Sequence, residues 1–252
     1  NDIYYPDGQV RDEDYEYVSF LGSRMHGAGV RCLDCHQPHS AKTLASDNSL
    51  CLRCHTAPIP PAPRIDPAAH SHHPSDKPGS RCVDCHMPQT IYMQRHARRD
   101  HGFTIPDPLL TQQHGIPNAC NRCHTDRTAE WAREAVGKWY GSRLERPSRQ
   151  RAQWIAQAKA GRREAAEKLV RLTREETNAL WRASATGLLK RWPTEPGVTP
   201  ALLERVGDSD PLVRAMAARS LEPFEQPAAG TVHAALLRLL NDPVRLVRIE
   251  AA

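Results

Sequence analysis

Large apolar side chains are scarce in this sequence: 252 residues contain only three Phe, and aromatics make up 6% of the chain. A chain of this length has room for two ordinary domains, so something other than aromatic side chains must fill part of its interior. No apolar run approaches the ~18 residues that a spanning helix needs, which excludes a transmembrane helix. The chain opens on Asn1 with neither a basic nor a hydrophobic segment, so it reads as an already processed chain, or a segment of one, without an uncleaved signal peptide. Unpaired cysteine is also missing. All eight Cys fall in Cys-x-x-Cys pairs, at Cys32/Cys35, Cys51/Cys54, Cys82/Cys85 and Cys120/Cys123, and every pair is followed at once by His.

With 13 His in 252 residues, four such successes in four have a chance probability of about one in a hundred thousand. Zinc ribbons and redox dithiols share Cys-x-x-Cys but give no reason for His beside the second Cys. Covalent haem attachment does, because the two thiols bond the vinyl groups and the adjacent imidazole reaches the iron. The reading is four covalently attached haem c groups, each with iron, and no structural disulfide or zinc. The proximal ligands are then His36, His55, His86 and His124.

The opposite face of each iron separates electron transfer from catalysis, since a second His closes it and an open face can take a small substrate. His26, His39, His70, His72, His73, His96, His101 and His114 are the spare candidates, and eight for four positions makes closed haems the expectation. His39 lies three residues after His36 and cannot easily reach around to the far face of that haem, so it should serve a neighbour. The same argument excludes Met87 from the haem of His86. Met25 and Met93 are lesser candidates.

An organisational break follows the last motif. Residues 1–125 hold all the Cys and twelve of the 13 His, whereas 126–252 are rich in Ala, Leu, Arg and Glu with a helical rhythm. The expected domains are therefore 1–125, a tetrahaem cytochrome c domain, and 126–252, a linker helix with helical repeats. Pro, Gly, Asn and Ser are scattered through the first, as in Ala57 to Pro63, and no segment shows sustained strand alternation, so short helices and loops wrapped on haem are expected. About 30 residues per haem cannot enclose each macrocycle separately, so the porphyrins must pack on one another as a shared core. From Asp126 as N-cap, Ala132, Ala135, Val136, Trp139 and Tyr140 recur at helical spacing until Gly141, predicting an amphipathic helix against the haem unit. Trp131 and Trp139 read as packing residues.

These stretches resemble a known family. YYPDGQVRDEDYEYVSF (4–20), MHGAGVRCLDCHQPHS (25–40), NSLCLRCH (48–55), GSRCVDCHMPQTIYM (79–93), RRDHGF (98–103) and PNACNRCHTDRTAEWA (117–132) are similar to the bacterial multihaem c-type cytochromes with paired CxxCH motifs, often followed by tetratricopeptide or HEAT repeats. The resemblance runs from about Asp2 to Gly141. It implies that His39, His101 and one of the His70–His73 cluster are distal ligands, with His73 favoured over His70 and His72, and that His26 is a further one. It also implies that His96 and His114 are not ligands, and that further haem motifs lie upstream in relatives.

In the second unit Trp181-Arg182-Ala183, Val213-Arg214-Ala215 and Val247-Arg248-Ile249 recur, the latter two following Asp208 and Asp242 by the same five residues. The phrase DSDPLVRAMAARSL (208–221) looks like a HEAT repeat. Arg214 and Arg248 are expected to pair with neighbouring Asp residues as a ladder, His233 to be an ordinary helix residue, and the stop at Ala252 within a repeat suggests further repeats or a covering partner.

Residues 1–125 carry 12 Lys or Arg and 13 Asp or Glu, and the remainder 22 and 16. Four ferric haems at about −1 each would leave the first unit near −5 and the repeats basic. No nucleic-acid motif is present. The reading is a mainly α protein, a loop-rich tetrahaem c-type cytochrome domain followed by HEAT-like repeats. Its function would be electron transfer through mostly bis-His haems, as a carrier rather than an enzyme, with the repeats as a docking scaffold for redox protein partners. Self-association or a larger cytochrome complex is compatible with it. Haem c chemistry and the resemblance imply a periplasmic or extracellular location. The alternatives are a nitrite- or hydroxylamine-type oxidoreductase with one open haem, for which Arg95, Arg98 and Arg99 would suit an anion, and a subunit of a polymeric extracellular conductor.

Overall fold

The structure, a computed structural model, describes residues 3–12, 16–56, 62–92, 95–222 and 229–252. Met93 and most of the Ala57 to Pro63 stretch lie outside the described residues. The protein is mainly helical and divides into two compact units, Asn1–Arg149 and Gln150–Ala252. The division falls beyond the join expected near Asp126. Helix Ala129–Tyr140 buries Ala132 and Val136 and packs on helix Pro108–His114, so its apolar face is satisfied inside the first unit.

The first unit is built from short elements. Helices Glu16–Leu21, Arg24–Gly27, Asp47–His55, Pro67–Ser71, Cys82–His86, Pro108–His114 and Cys120–Cys123 precede Ala129–Tyr140. Pro67 and Pro108 open their helices, where a fixed φ helps and no N–H is needed. Thr128, rather than Asp126, caps Ala129–Tyr140: its hydroxyl accepts from the Trp131 N–H at 3.2 Å, while Asp126 pairs with Arg127. Gly141, at φ +50°, ends that helix as expected. The buried apolar side chains here are few, chiefly Val10, Phe20, Leu110, Ile116, Ala132 and Val136.

One element departs from the sequence expectation. Strands Gln89–Tyr92 and His96–Arg99 form an antiparallel hairpin, Gln89 opposite Arg99 and Tyr92 opposite His96. Four-residue strands with an exposed His-Ala-Arg-Arg run bury no face, so no alternation marks them. Arg99 anchors the ribbon by donating to the carbonyls of Val83 and Met87, both at 3.1 Å, and to Asp84.

Buried ion pairs close the C-terminal end of this unit. Asp107 accepts a two-point fork from Arg149, at 2.7 and 3.0 Å, and a third bond from Arg146 at 2.7 Å.

The second unit stacks helices Pro147–Lys159, Ala165–Glu175, Ala179–Leu189, Val198–Arg205, Pro211–Leu221, Ala229–Leu239 and Arg245–Ala251. Its continuous core includes Leu169, Leu189, Leu202, Leu221 and Val247. A ladder runs through the turns. Arg151 reaches Glu176 at 2.8 Å, Arg182 forks onto Asp208 at 2.8 and 2.9 Å, and Arg214 forks onto Asp242 at 2.7 and 3.0 Å. Each bond points to the acid of the following repeat. Arg248 differs from the expectation: its guanidinium donates to the backbone carbonyls of Asp242 and Pro243, as that of Arg214 does to Asp208 and Ser209, and among the described residues it makes no fork onto an acid.

Candidate haem site

All four motifs lie in tight helical turns: Cys32–Asp34 is a single 3₁₀ turn, Asp47–His55 carries the second motif, Cys82–His86 the third and Cys120–Cys123 the fourth. On a helical turn positions i, i+3 and i+4 share one face, so both Cys and the following His are brought to one side of each turn. Local polar bonds hold the turns. The Arg31 N–H donates to Asp34 at 2.7 Å, the Cys82 N–H to Asn48 Oδ1 at 2.8 Å, and the Asn121 N–H to Asn118 Oδ1 at 3.2 Å. Asn48 also donates to the Ser80 carbonyl at 3.0 Å, clamping the second motif to the third. There the Cys51 and Cys82 thiols hydrogen-bond, which pulls Cys82 down to about 7 and pushes Cys51 up. Burial pushes Cys85 up to about 11. No disulfide joins any of the eight Cys.

The two thiols of the second motif lie in different surroundings. Cys51 is half-buried against the third motif, whereas Cys54 is exposed and neighbours Cys35 of the first. Two clamps on opposite ends of the helix explain the split: Asn48 seats its start on the third motif, and Arg53 ties its end to the first by donating to the Asp34 carbonyl at 3.1 Å. Burial, with Asp34 and then Cys54 beside it, pushes the Cys35 thiol up. Cys32 and Cys123 are likewise exposed, so each of these three motifs offers one thiol to solvent and keeps the other partly covered.

The histidines are oriented by backbone carbonyls. His36 Nδ1 meets the Ala41 carbonyl at 2.8 Å, His55 Nδ1 that of Pro63 at 2.9 Å, and His86 Nδ1 that of Thr104 at 2.9 Å. His73 and His101 do the same with Ser71 and Arg99, at 2.6 and 3.0 Å. A carbonyl only accepts, so each Nδ1 carries a proton, which leaves Nε2 as the nitrogen that can face a metal. Burial lowers the affinity of His86 and His70 for a further proton, and the neighbouring His86 lowers that of His70 again.

Three motif histidines face a second imidazole. The ring centres of His36 and His101 are 6.2 Å apart, those of His86 and His70 6.0 Å, and those of His124 and His73 6.1 Å. A metal held between two imidazole nitrogens at about 2.0–2.1 Å each, with each ring centre roughly 1 Å behind its nitrogen, gives a separation of about 6 Å. The residues therefore fit an iron with two axial histidines. Among the described residues no group of three or more His, Cys, Asp or Glu converges as an all-protein metal site would, and two axial nitrogens are all that a haem iron asks of the chain.

Other expected residues are not brought into such pairs. His39 is exposed, and His26 lies edge-on to Phe20 at 5.5 Å. Among the described residues His55 has no opposed ring. His72 stacks on Trp139 at 4.2 Å, His96 sits exposed on its strand, and His114 ends helix Pro108–His114. Trp131 and Trp139 do pack, but against histidine rings, Trp131 lying 4.9 Å from His124.

Several supporting residues escaped the sequence reading. Gly79, at φ +90°, leaves its Cβ position 2.8 Å from the His73 ring, so only glycine fits there. Buried Asp100 accepts from the N–H groups of Val10 and Gly102, at 2.7 and 2.6 Å, and so fixes the loop around His101. Gly79 does stand three residues before the Cys82 that opens the third motif, which is a legible signal. Asp100 offers none, because its partner Val10 is remote in sequence.

Residues 69–187 match the family of cytochrome c552, and residues 166–252 match HEAT repeats. Together the two matches support a c-type cytochrome joined to helical repeats. The cytochrome match takes in the third and fourth motifs and begins after the first two. No curated protein and no solved structure matches the chain. No helix among the described residues is long and apolar enough to cross a membrane.

Proposed function

We propose that this chain is an electron-transfer protein carrying four covalent haem c groups, on Cys32/Cys35, Cys51/Cys54, Cys82/Cys85 and Cys120/Cys123, with His36, His55, His86 and His124 as proximal ligands. Three axial pairs follow: His36 with His101, His86 with His70, and His124 with His73. The observation that carries this reading is the near 6 Å opposition of those three ring pairs. When bound, haem c supplies a one-electron couple at its iron. The chain's own residues close both axial faces at three motifs, orient His36, His55, His86, His73 and His101 through carbonyl bonds, and hold the second motif against the third through Asn48. His39, which cannot easily reach the far face of the His36 haem, is assigned to the iron of His55, the one motif histidine without an opposed ring among the described residues. The repeats serve as a basic docking scaffold for redox protein partners, in the periplasm or outside the cell.

A second reading rests on His55, which has no opposed ring among the described residues: an enzyme whose second haem keeps an open face. One experiment separates the two. Denaturing mass spectrometry should show four haem additions, and spin counting should show His101→Ala adding one high-spin iron. His39→Ala adds another if the carrier reading holds. If one iron is already high-spin in the unaltered protein and His39→Ala changes nothing, the open-haem reading replaces it.

A further inference from the structure

The segment from His70 to His73 sends two histidines to two different motifs. His70 faces His86 of the third, and His73 faces His124 of the fourth. The turn that separates them is His72 itself, in the left-handed region at φ +54°, a conformation that residues with a Cβ seldom adopt unless their surroundings hold it. Ser71 bonds the backbone and ring of His73 on one side of it, and the end of helix Ala129–Tyr140 holds the other. The Trp139 ring lies flat on the His72 imidazole, with ring centres 4.2 Å apart and planes within 8°. The Tyr140 hydroxyl donates to the His70 carbonyl at 2.5 Å, and its ring meets His70 and His72 at 5.7 Å each. Helix Pro67–Ser71 is a single turn whose only side-chain cap is Asp66, too short to set that geometry alone.

We propose that Trp139 and Tyr140 are positioning residues that lock the His70–His73 turn, so that one helix end sets the distal ligation of both the third and the fourth motif. This rests on the axial pairing proposed above. His72, which resembles a ligand in sequence, is instead the handle by which the helix grips the turn. The ligation of two irons is thereby coupled through one aromatic clamp, while that of the first motif, whose distal His101 sits in a separate loop held by Asp100, is independent of it.

The test uses the full-length holoprotein. In the W139L/Y140F double variant, haem additions stay at four, high-spin iron rises by up to two per chain, and the His36/His101 iron stays low-spin. Because Trp139 is 39% exposed, Trp139→Phe serves as a second, milder variant: its flat ring restores low-spin character relative to Trp139→Leu, which packs but cannot stack. If His70→Ala and His73→Ala each add one high-spin iron while the double variant leaves spin states and potentials unchanged, the clamp is wrong and the axial pairing stands. Equal spectra for Trp139→Leu and Trp139→Phe would likewise overturn the stacking. If His70→Ala and His73→Ala are themselves silent, the pairing fails and the clamp with it.

Discussion

Gly79 shows how much of the site depends on residues with no chemistry of their own. An alanine there must adopt a left-handed backbone, at about 1–2 kcal/mol, and its Cβ would sit 2.8 Å from the His73 Cδ2. Since Ser71 pins that ring through Nδ1, it cannot simply rotate away. Gly79→Ala is therefore expected to lower the thermal midpoint and to raise the high-spin fraction of the His124 iron alone, as read by magnetic circular dichroism; an unchanged spectrum would show that the cradle does not bear on ligation. Residues whose role is set by immediate neighbours were legible in the sequence, the four Cys-Cys-His turns above all. The different surroundings of Cys51 and Cys54 were not, because they come from Asn48 and Arg53 reaching two other motifs. His101 was legible only through a resemblance. Gly79 had a local signal, three residues before Cys82, whereas Asp100 and the grip of Trp139 and Tyr140 on His70 and His72 had none, because those partners lie across the fold, as Val10 does from Asp100.

Elements were legible where a stripe or a breaker repeats. Helix Ala129–Tyr140 announces itself by Ala132, Val136 and Gly141, and the repeats by their Asp and Arg spacing. The hairpin at Gln89–Tyr92 and His96–Arg99 was not legible, since its strands bury no face and take their order from Arg99. The ladder gives the repeats an acid-sensitive component. Burial alone would raise the Asp208 carboxyl, but the Arg182 fork and the Asp210 N–H outweigh it and hold that carboxyl below its ordinary value. A depressed carboxyl stabilises the fold above its unfolded value near pH ~4, and the contribution is lost as pH falls through the lower folded value. Asp208→Asn, which leaves Arg182 and Arg205 without their carboxylate, should cost about 3–5 kcal/mol at pH 7. Denaturant unfolding at pH 7 and pH 3 should show that difference shrinking with acid; a constant difference would contradict the assignment.

For the whole molecule, the two units can be told apart by where the chain is cut. Ending it after Gly141 removes Arg146 and Arg149 and so takes from Asp107, whose side chain is 3% exposed in the full chain, its guanidinium bonds. That should destabilise the first unit, by less than the ~3–5 kcal/mol of a charge left buried, because the cut also lets water reach the carboxylate. Ending it after Arg149 keeps the fork, so this shorter chain should unfold at higher denaturant than the first, and equal midpoints would remove the structural role given to Asp107. If the basic repeats dock redox partners, the chain ending at Arg149 should also exchange electrons more slowly and with a weaker salt dependence than the full-length protein. Whether the paired histidines close three or more irons can be read from quantitative low-temperature electron paramagnetic resonance on the oxidised full-length protein. At least three low-spin haem irons per chain and no more than one high-spin iron are expected. Two or more high-spin irons per chain, or fewer than three haem irons in all, would rule the paired ligation out.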